Sequence, residues 1–237
     1  VTTESDNTKI AGTNLFVITT TDRTAIAYDP ATGRIIGYTD TITSSSTGGA
    51  TGVLDTKIMS GITYNSLNQM TRYIENDHQL KGSILDVYTT TLRTGISYES
   101  GRITGYMDIV TSTSTGGTFT NGMVISDLSE IITMSGITYD DKGRMLNYTE
   151  NDRQFNPGII DVTTTTSRSG ILYNSLGQMT EYHDYITSSA TPGIKTWNDM
   201  TNIAYDTVNK NGLMLSYHSV TTESDNTKIA GTNLFVI

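Results

Sequence analysis

Six copies of one short pattern run along this chain, and they constrain its fold more than any other feature. Each copy has an isoleucine two positions before a first tyrosine, then a few turn-forming residues, then a second tyrosine. The copies read AIAYDPATGRIIGY, GITYNSLNQMTRY, GISYESGRITGY, GITYDDKGRMLNY, GILYNSLGQMTEY and NIAYDTVNKNGLMLSY. Repetition at a regular spacing is typical of arrays in which each unit packs on its neighbours.

Twelve of the 14 tyrosines stand at one of the two repeat positions. The first tyrosines are Tyr28, Tyr64, Tyr98, Tyr139, Tyr173 and Tyr205. The second tyrosines are Tyr38, Tyr73, Tyr106, Tyr148, Tyr182 and Tyr217. Because they recur at fixed places, we expect structural ladders in which each ring packs on the next, as cross-strand pairs do.

Each copy reads as a β-hairpin, because runs rich in Thr, Val, Ile and Tyr flank a few Asn, Asp, Ser and Gly residues. The glycines that fall where the turn needs a positive φ are Gly33, Gly101, Gly143 and Gly177. Asn68 takes that place in one copy, as an αL position permits. Apolar residues fall on both faces of the returning strand, as in Ile35 with Ile36, so we expect a bulge or partial burial there.

Composition favours strands over helices. The chain has 44 Thr and 14 Tyr, which suit a pleated sheet, against three Pro and no Cys. No stretch of helical length keeps a clear 3.6-residue apolar rhythm. The predicted fold class is therefore all-β, with stacked long hairpins in a continuous sheet and almost no helix.

A longer period groups the hairpins. SGITYNSLNQMTRYIENDHQLKGSILDVYTTTLRTGISY closely parallels SGITYDDKGRMLNYTENDRQFNPGIIDVTTTTSRSGILY, which begins 75 residues later, so the hairpins come in pairs. The segment VTTESDNTKIAGTNLFVI also occurs twice, at 1–18 and at 220–237, an offset of 219 residues that keeps the hairpin register. We expect residues 220–237 to begin another 219-residue block, and further copies of this block to be the main partner of the segment.

We therefore predict one repeat array over residues 1–237. Its hairpin units are predicted near 19–54, 55–88, 89–130, 131–162, 163–196 and 197–237.

The turn residues resemble the YD repeat, also called the Rhs repeat, with the pattern Tyr-Asp, two residues, Gly-Arg and an aliphatic residue. YDDKGRM at 139–145 matches throughout, and YDPATGRI at 28–35 matches with one extra residue. Other copies depart, since Asn follows Tyr64 and Tyr173, and Glu follows Tyr98. The resemblance implies a sheet of stacked hairpins that spirals into a hollow shell or tube. In the family, such shells enclose toxins or form parts of large cell-surface proteins.

Charge and composition limit the classes of partner and the cellular location that this chain can have. The formal net charge is −9 without a cluster of Lys or Arg, which argues against a nucleic-acid interface. The chain has no run of 18 apolar residues, so membrane insertion is not predicted. The absence of Cys excludes a disulfide framework. A composition rich in Thr, Ser, Gly and Asn is common in secreted bacterial repeat proteins. We therefore expect an extracellular or cell-surface location.

The two Glu-Asn-Asp segments, at 75–77 and 150–152, are the candidate metal sites. Carboxylates suit calcium, which gives Glu75, Asp77, Glu150 and Asp152 as weak candidates. Neither segment has the alternating pattern of a dedicated calcium loop, so the preferred interpretation is a polar turn that leaves a strand. No cofactor is expected.

Catalysis is not expected. His78, His183 and His218 lack metal-ligand spacing, and Arg153 stands at the equivalent of His78 in the parallel segment. No serine lies in a nucleophile-elbow motif. The predicted function is structural: a segment of a very long polypeptide that builds a β-sheet tube, filament or sheath. One alternative is a shell that encloses a toxin; another is an adhesin stalk that binds glycans through exposed Tyr, Trp197 and Asn.

Overall fold

The computed structural model describes residues 17–46, 54–81, 85–114, 128–206 and 213–225. Most of the duplicated terminal segment, parts of the long Ser/Thr/Gly stretches and the lengthened NKNG turn lie outside these ranges.

The predicted all-β fold class is confirmed, since twelve antiparallel strands form one sheet and the described residues contain no helix. The strands are β1 (Val17–Tyr28), β2 (Ile35–Ser46), β3 (Leu54–Tyr64), β4 (Met70–Lys81), β5 (Leu85–Glu99), β6 (Arg102–Ser114), β7 (Leu128–Tyr139), β8 (Met145–Asn156), β9 (Ile160–Tyr173), β10 (Met179–Ser188), β11 (Lys195–Tyr205) and β12 (Met214–Ser224). Their order in the sheet follows the chain, from β1 to β12. Each odd-numbered strand and its successor form one hairpin, with the first tyrosine at or next to the end of the outgoing strand.

The chain divides into two compact units. One comprises Val1–Ile96 with Asp108–Glu130, and the other Ser97–Met107 with Ile131–Ile237. In every hairpin except the first, the most buried apolar side chain is the isoleucine two positions before the first tyrosine. Five of these isoleucines are only 2 to 8% exposed: Ile62, Ile96, Ile137, Ile171 and Ile203.

The hairpin turns use residues in the left-handed region. The turn glycines have φ of +70° at Gly33, +82° at Gly101, +83° at Gly143 and +80° at Gly177, and Asn68 has +65°. In the short turn between β5 and β6, Ser100 also has a positive φ of 50°. Two consecutive positive φ values are typical of a type I′ turn, whose twist matches that of the flanking strands.

A β-bulge lies in the outgoing strand of four hairpins, where the isoleucine and the residue before it together lie opposite the second tyrosine. In the first hairpin, Ala25 and Ile26 together lie opposite Tyr38. The residue before the isoleucine has a positive φ in all six hairpins: Ala25, Gly61, Gly95, Gly136, Gly170 and Asn202. A bulge or partial burial was also predicted in the returning strand, at Ile35 and Ile36, and this prediction is confirmed. The pairing steps from Ala27 opposite Gly37 to Tyr28 opposite Ile35, which leaves Ile36 as an extra residue, and Ile35 and Ile36 are both part-buried.

Gly95→Ala tests the positive φ that recurs before the isoleucine, because φ at Gly95 is +63° and an added Cβ would have no atom within 4 Å. The cost is then backbone strain alone, and we expect the free energy of unfolding to fall by about 1–2 kcal/mol. Gly95→Asn should cost less, since Asn tolerates this region. Thr94→Ala, at the preceding residue, is the control and should cost well under about 1 kcal/mol. Equal urea-unfolding midpoints for Gly95→Ala and the parent chain would contradict this role of the positive φ.

Candidate functional site

The first tyrosine of a hairpin ties it to the hairpin before it. In each pair described below, the phenol O–H donates to the carbonyl oxygen of the residue that begins, or nearly begins, the returning strand of the preceding hairpin. The donor–acceptor distances are 2.8 Å for Tyr64 to Ile35, 2.7 Å for Tyr139 to Ile103, 2.7 Å for Tyr173 to Met145 and 2.8 Å for Tyr205 to Met179. We call this the tyrosine–carbonyl contact. It satisfies the half-buried hydroxyl, and burial raises the pKa of Tyr173.

The residue after the first tyrosine closes the turn. Asp140 Oδ1 accepts hydrogen bonds from the backbone N–H groups of Lys142 and Arg144, both at 2.9 Å, and Oδ2 accepts one from Arg144 Nε at 2.6 Å. The backbone and then the guanidinium of Arg144 lower the pKa of Asp140. An acceptor at this place is needed because turn N–H groups have no strand partner.

The two copies with Asn after the first tyrosine keep this chemistry. Asn65 Oδ1 accepts from two backbone N–H groups at 2.9 Å, and its Nδ2 donates to Gln69 Oε1 at 2.8 Å. Asn174 and Gln178 make the same pair at 2.8 Å. The pair Asn–Gln therefore replaces the pair Asp–Arg, and the turn geometry is retained.

The arginine that follows the turn glycine contacts the next hairpin. Its guanidinium carbon lies over the ring of the next first tyrosine, 5.4 Å from the centroid for Arg34 over Tyr64, 5.7 Å for Arg102 over Tyr139 and 4.6 Å for Arg144 over Tyr173. Such cation–π contacts contribute about 0.5–1 kcal/mol at exposed sites. The Gly-Arg pair thus forms the turn and also recognises the adjacent hairpin.

A second recurrent arrangement lies farther along the strands. Arg168 on β9 donates to both carboxylate oxygens of Asp184 on β10, at 2.7 and 2.8 Å. Its guanidinium lies 3.8 Å from the ring centroid of Tyr182 and 5.7 Å from that of Tyr148 on the opposite neighbouring strand. The hydrogen bond to Asp184 raises the pKa of Arg168. We call this arrangement the Tyr–Arg–Asp cluster.

The cluster recurs in alternate hairpins. Arg93 donates to Asp108 at 2.7 and 2.6 Å, and Arg23 donates to Asp40 at 2.7 Å on both oxygens. Methionine stands at the arginine position in the intervening hairpins, as Met59, Met134 and Met200. This exchange gives the two-hairpin period a physical meaning: a buried ion pair alternates with an apolar contact. The sequence contains the signal, since Arg and Met alternate five positions before the first tyrosines, but no ion pair was predicted from it.

The second tyrosines do not face one another in the pairs described. The register sets Tyr38 opposite Met59, Tyr73 opposite Arg93, Tyr148 opposite Arg168 and Tyr182 opposite Met200. An arginine or a methionine therefore separates successive tyrosine rings, in place of the expected ring-on-ring ladder.

The metal candidates lie inside strands, so their interpretation as turns was wrong. Glu75 and Asp77 are in β4, and Glu150 and Asp152 are in β8. Strand alternation turns the central asparagine to the other face, where Asn76 Oδ1 accepts from Thr90 at 2.9 Å. Asn151 Oδ1 accepts from Thr165 at 2.7 Å. Within the described ranges, no three His, Cys, Asp or Glu side chains are grouped so that they could hold a metal ion.

Asp77 belongs instead to a compact charge cluster with Lys57 and Asp55. Lys57 Nζ lies 3.0 Å from Asp77 Oδ2 and 3.8 Å from Asp55 Oδ2. Burial, together with the neighbouring Asp77, raises the pKa of Asp55 to about 6. One lysine thus faces two part-buried carboxyl groups, and Asp55 accepts a proton at mildly acidic pH.

Two of the three histidines pair with aspartates. His78 Nε2 lies 2.9 Å from Asp86 Oδ1 and stacks on Tyr88 with 3.9 Å between centroids. In the parallel segment, Arg153 donates to both oxygens of Asp161 at 2.8 Å, which explains how Arg replaces His.

On the neighbouring hairpins, His183 Nδ1 lies 2.7 Å from Asp199 Oδ1, and this hydrogen bond raises the pKa of His183. His218, at the equivalent place in the last hairpin, is exposed on β12.

These arrangements join neighbouring strands through paired charges, hydroxyls and rings. No membrane-spanning helix is found in the described part of the chain. No protein family, curated protein or solved structure matches the chain.

The Tyr–Arg–Asp cluster can be tested with the combination that the chain uses in its last hairpin. Arg168→Met leaves Asp184 buried without its cation, and we expect a loss of about 2–4 kcal/mol in the free energy of unfolding. Adding Asp184→Ser recreates the Met200 and Ser219 combination and should recover more than half of that loss. Urea unfolding in a double-mutant cycle measures the coupling.

Arg153→Met is the matched control, because its partner Asp161 is exposed. It should cost far less than Arg168→Met, because an exposed ion pair contributes little to stability. A double variant as unstable as Arg168→Met alone would show that Asp184 is not the reason for the loss.

The raised pKa of Asp55 predicts a specific pH dependence. In the folded chain the Asp55 carboxyl group keeps its proton up to a pH of about 6, whereas in the unfolded chain it loses the proton near pH 3.8. The free energy of unfolding should therefore increase as pH falls through 6, and the whole contribution is present below 3.8. Asp55→Asn should be more stable than the parent chain at about pH 7.5, and the difference should narrow towards about pH 4.5.

Asp161→Asn should change stability with pH in the opposite direction, because Arg153 lowers the pKa of Asp161. This variant should lose stability at neutral pH and match the parent in acid. Urea unfolding across this pH range checks both variants, and parallel pH profiles for the two would contradict the assignment.

Proposed function

We propose that the chain is a structural, non-enzymatic segment of a very long extracellular or cell-surface polypeptide, which builds a β-sheet tube, filament or sheath. The 219-residue block is its repeating part, and further copies of the block are its partners. The long polymer gains length by adding hairpins to the ends of one sheet.

The observation that carries this proposal is the tyrosine–carbonyl contact. Each such contact uses the hydroxyl of one hairpin and the carbonyl of the hairpin before it, so a hairpin is completed only by its neighbour. The same holds for the Tyr–Arg–Asp cluster, where Arg168 lies between the rings of Tyr148 and Tyr182. Because each contact involves only neighbouring hairpins, further hairpins can be added with the same contacts, as in other arrays with nearest-neighbour stability.

The chemistry of the clusters suits a structural role. Paired charges and hydrogen-bonded hydroxyls between strands hold a sheet together without cysteine, which the chain lacks. The resemblance to YD repeats and the composition support a surface location. An enclosed toxin and a glycan ligand are the alternatives that the experiments below also address.

Chains with one, two and three 219-residue blocks, each ending in residues 220–237, test the array. Every added block creates a new junction, so we expect the urea midpoint to rise with block number. The maximum dimension from small-angle X-ray scattering should grow by a constant increment per block. Identical midpoints for all three chains would contradict a coupled array.

A glycan array with the one-block chain and its Trp197→Ala variant serves as a control for the adhesin alternative. Binding to one glycan class that is lost in the variant would contradict a purely structural role. The protease sensitivity of an appended reporter domain tests enclosure: protection of the reporter would favour the shell.

A further inference from the structure

The two strands at the ends of the sheet order carry incomplete versions of the recurrent contacts. On β1, Ile26 is 40% exposed, although its five counterparts are 2 to 8% exposed. The Arg23 side chain is 47% exposed, against 27% for Arg93 and 23% for Arg168. Arg23 has Asp40 and the ring of Tyr38, at 3.7 Å, on the β2 side. The first hairpin therefore has every member of a Tyr–Arg–Asp cluster except the second tyrosine ring.

Strand β12 presents the tyrosine ring that the first hairpin lacks. Tyr217 is 55% exposed, whereas the other second tyrosines are part-buried. Met214, Leu215 and Val220 on the same strand are also exposed. An exposed strand with apolar side chains is a template for pairing with another strand.

The register between successive hairpins shows which residues would meet. In every such pair described, the second tyrosine of one hairpin lies opposite the residue five positions before the next first tyrosine. Applied to β12 and a following β1, this register sets Tyr217 opposite Arg23, because Arg23 is five positions before Tyr28.

In this register, three specific contacts between β12 and β1 would form together. Tyr217 covers the open side of Arg23, as Tyr148 covers Arg168. His218 lies opposite Asp22, as His183 lies opposite Asp199. The hydroxyl of Tyr28, which is exposed on β1, meets the carbonyl of Met214 and completes the tyrosine–carbonyl contact.

We infer that β12 of one 219-residue block pairs antiparallel with β1 of a second copy of the block, in the register that sets Tyr217 opposite Arg23. This inference rests on the proposed function and specifies its junction. Because the two surfaces differ, the interface is heterologous, and each copy leaves one β1 and one β12 open for the next. The pairing adds a strand to a sheet edge, and the side chains specify which strand it is.

Cysteine pairs test the register, since the chain has no cysteine of its own. Ser219 lies two residues beyond Tyr217, so its expected partner is Thr21, two residues before Arg23. Neither position lies within the duplicated segments 1–18 and 220–237. The matched control is Thr20, which strand alternation turns to the opposite face.

The full chain is prepared as single variants Ser219→Cys, Thr21→Cys and Thr20→Cys, and these are mixed and oxidised. We expect Ser219→Cys with Thr21→Cys to give a disulfide-linked heterodimer, and loss of that product with Thr20→Cys. The double variant Ser219→Cys/Thr21→Cys should give a ladder of oligomers. Tyr217→Ala should abolish the ladder, whereas Tyr217→Phe, which keeps the ring over Arg23, should retain it.

A chain of two blocks, with Ser219→Cys in the first and Thr21→Cys in the second, distinguishes covalent continuity from association of separate chains. If only this chain forms the disulfide, the junction requires a continuous polypeptide, and the register stands. A disulfide to Thr20→Cys, homodimers between like positions, or closure of one block on itself would overturn the inference.

The proposed function has a separate readout. A rise of the urea midpoint with block number, together with the wrong disulfide, would retain the array and reject only this register. Equal midpoints and no disulfide in either form would reject both.

Discussion

A hairpin in this sheet is chemically incomplete without the hairpin beside it. The hydroxyl of Tyr173 needs the carbonyl of Met145, and the guanidinium of Arg144 lies over the ring of Tyr173. Polar groups in a part-buried position must find partners, because an unpaired group costs about 1–3 kcal/mol. This requirement turns a local hairpin motif into an array, and it makes the two ends of the sheet order differ from its interior.

The alternation of arginine and methionine adds a second period. Arg168 and the buried Asp184 form an ion pair between two tyrosine rings, whereas Met200 faces Tyr182 with an apolar side chain. A buried ion pair tolerates few replacements, since removal of either partner leaves a charge unpaired. Alternating the two kinds of contact therefore specifies which hairpin can follow which, and a shift by one hairpin would bring unlike positions together.

Much of the hairpin architecture was predictable because it depends on local chemistry. Gly143 and Asn68 both occupy a turn position with positive φ, and such positions leave a clear signal in sequence. The bulge at Gly170 and Ile171 left a signal too, in the recurrent glycine, but its position in the outgoing strand follows from pairing across the hairpin. The segment around Asp77 was predicted to be a turn, because a polar run that alternates between two faces of a strand has the composition of a turn.

The sequence by itself determined the repeat, the hairpin turns and the all-β class, since each of these arises from residues a few positions apart. Only the tertiary structure decided what the repeated residues contact. Tyr148, Arg168 and Asp184 come from three strands, and their meeting depends on the register of those strands, which a shift of one residue would reverse. Register is set by all the cross-strand contacts together, so the interleaving of arginine between tyrosines became visible only once the strands were paired.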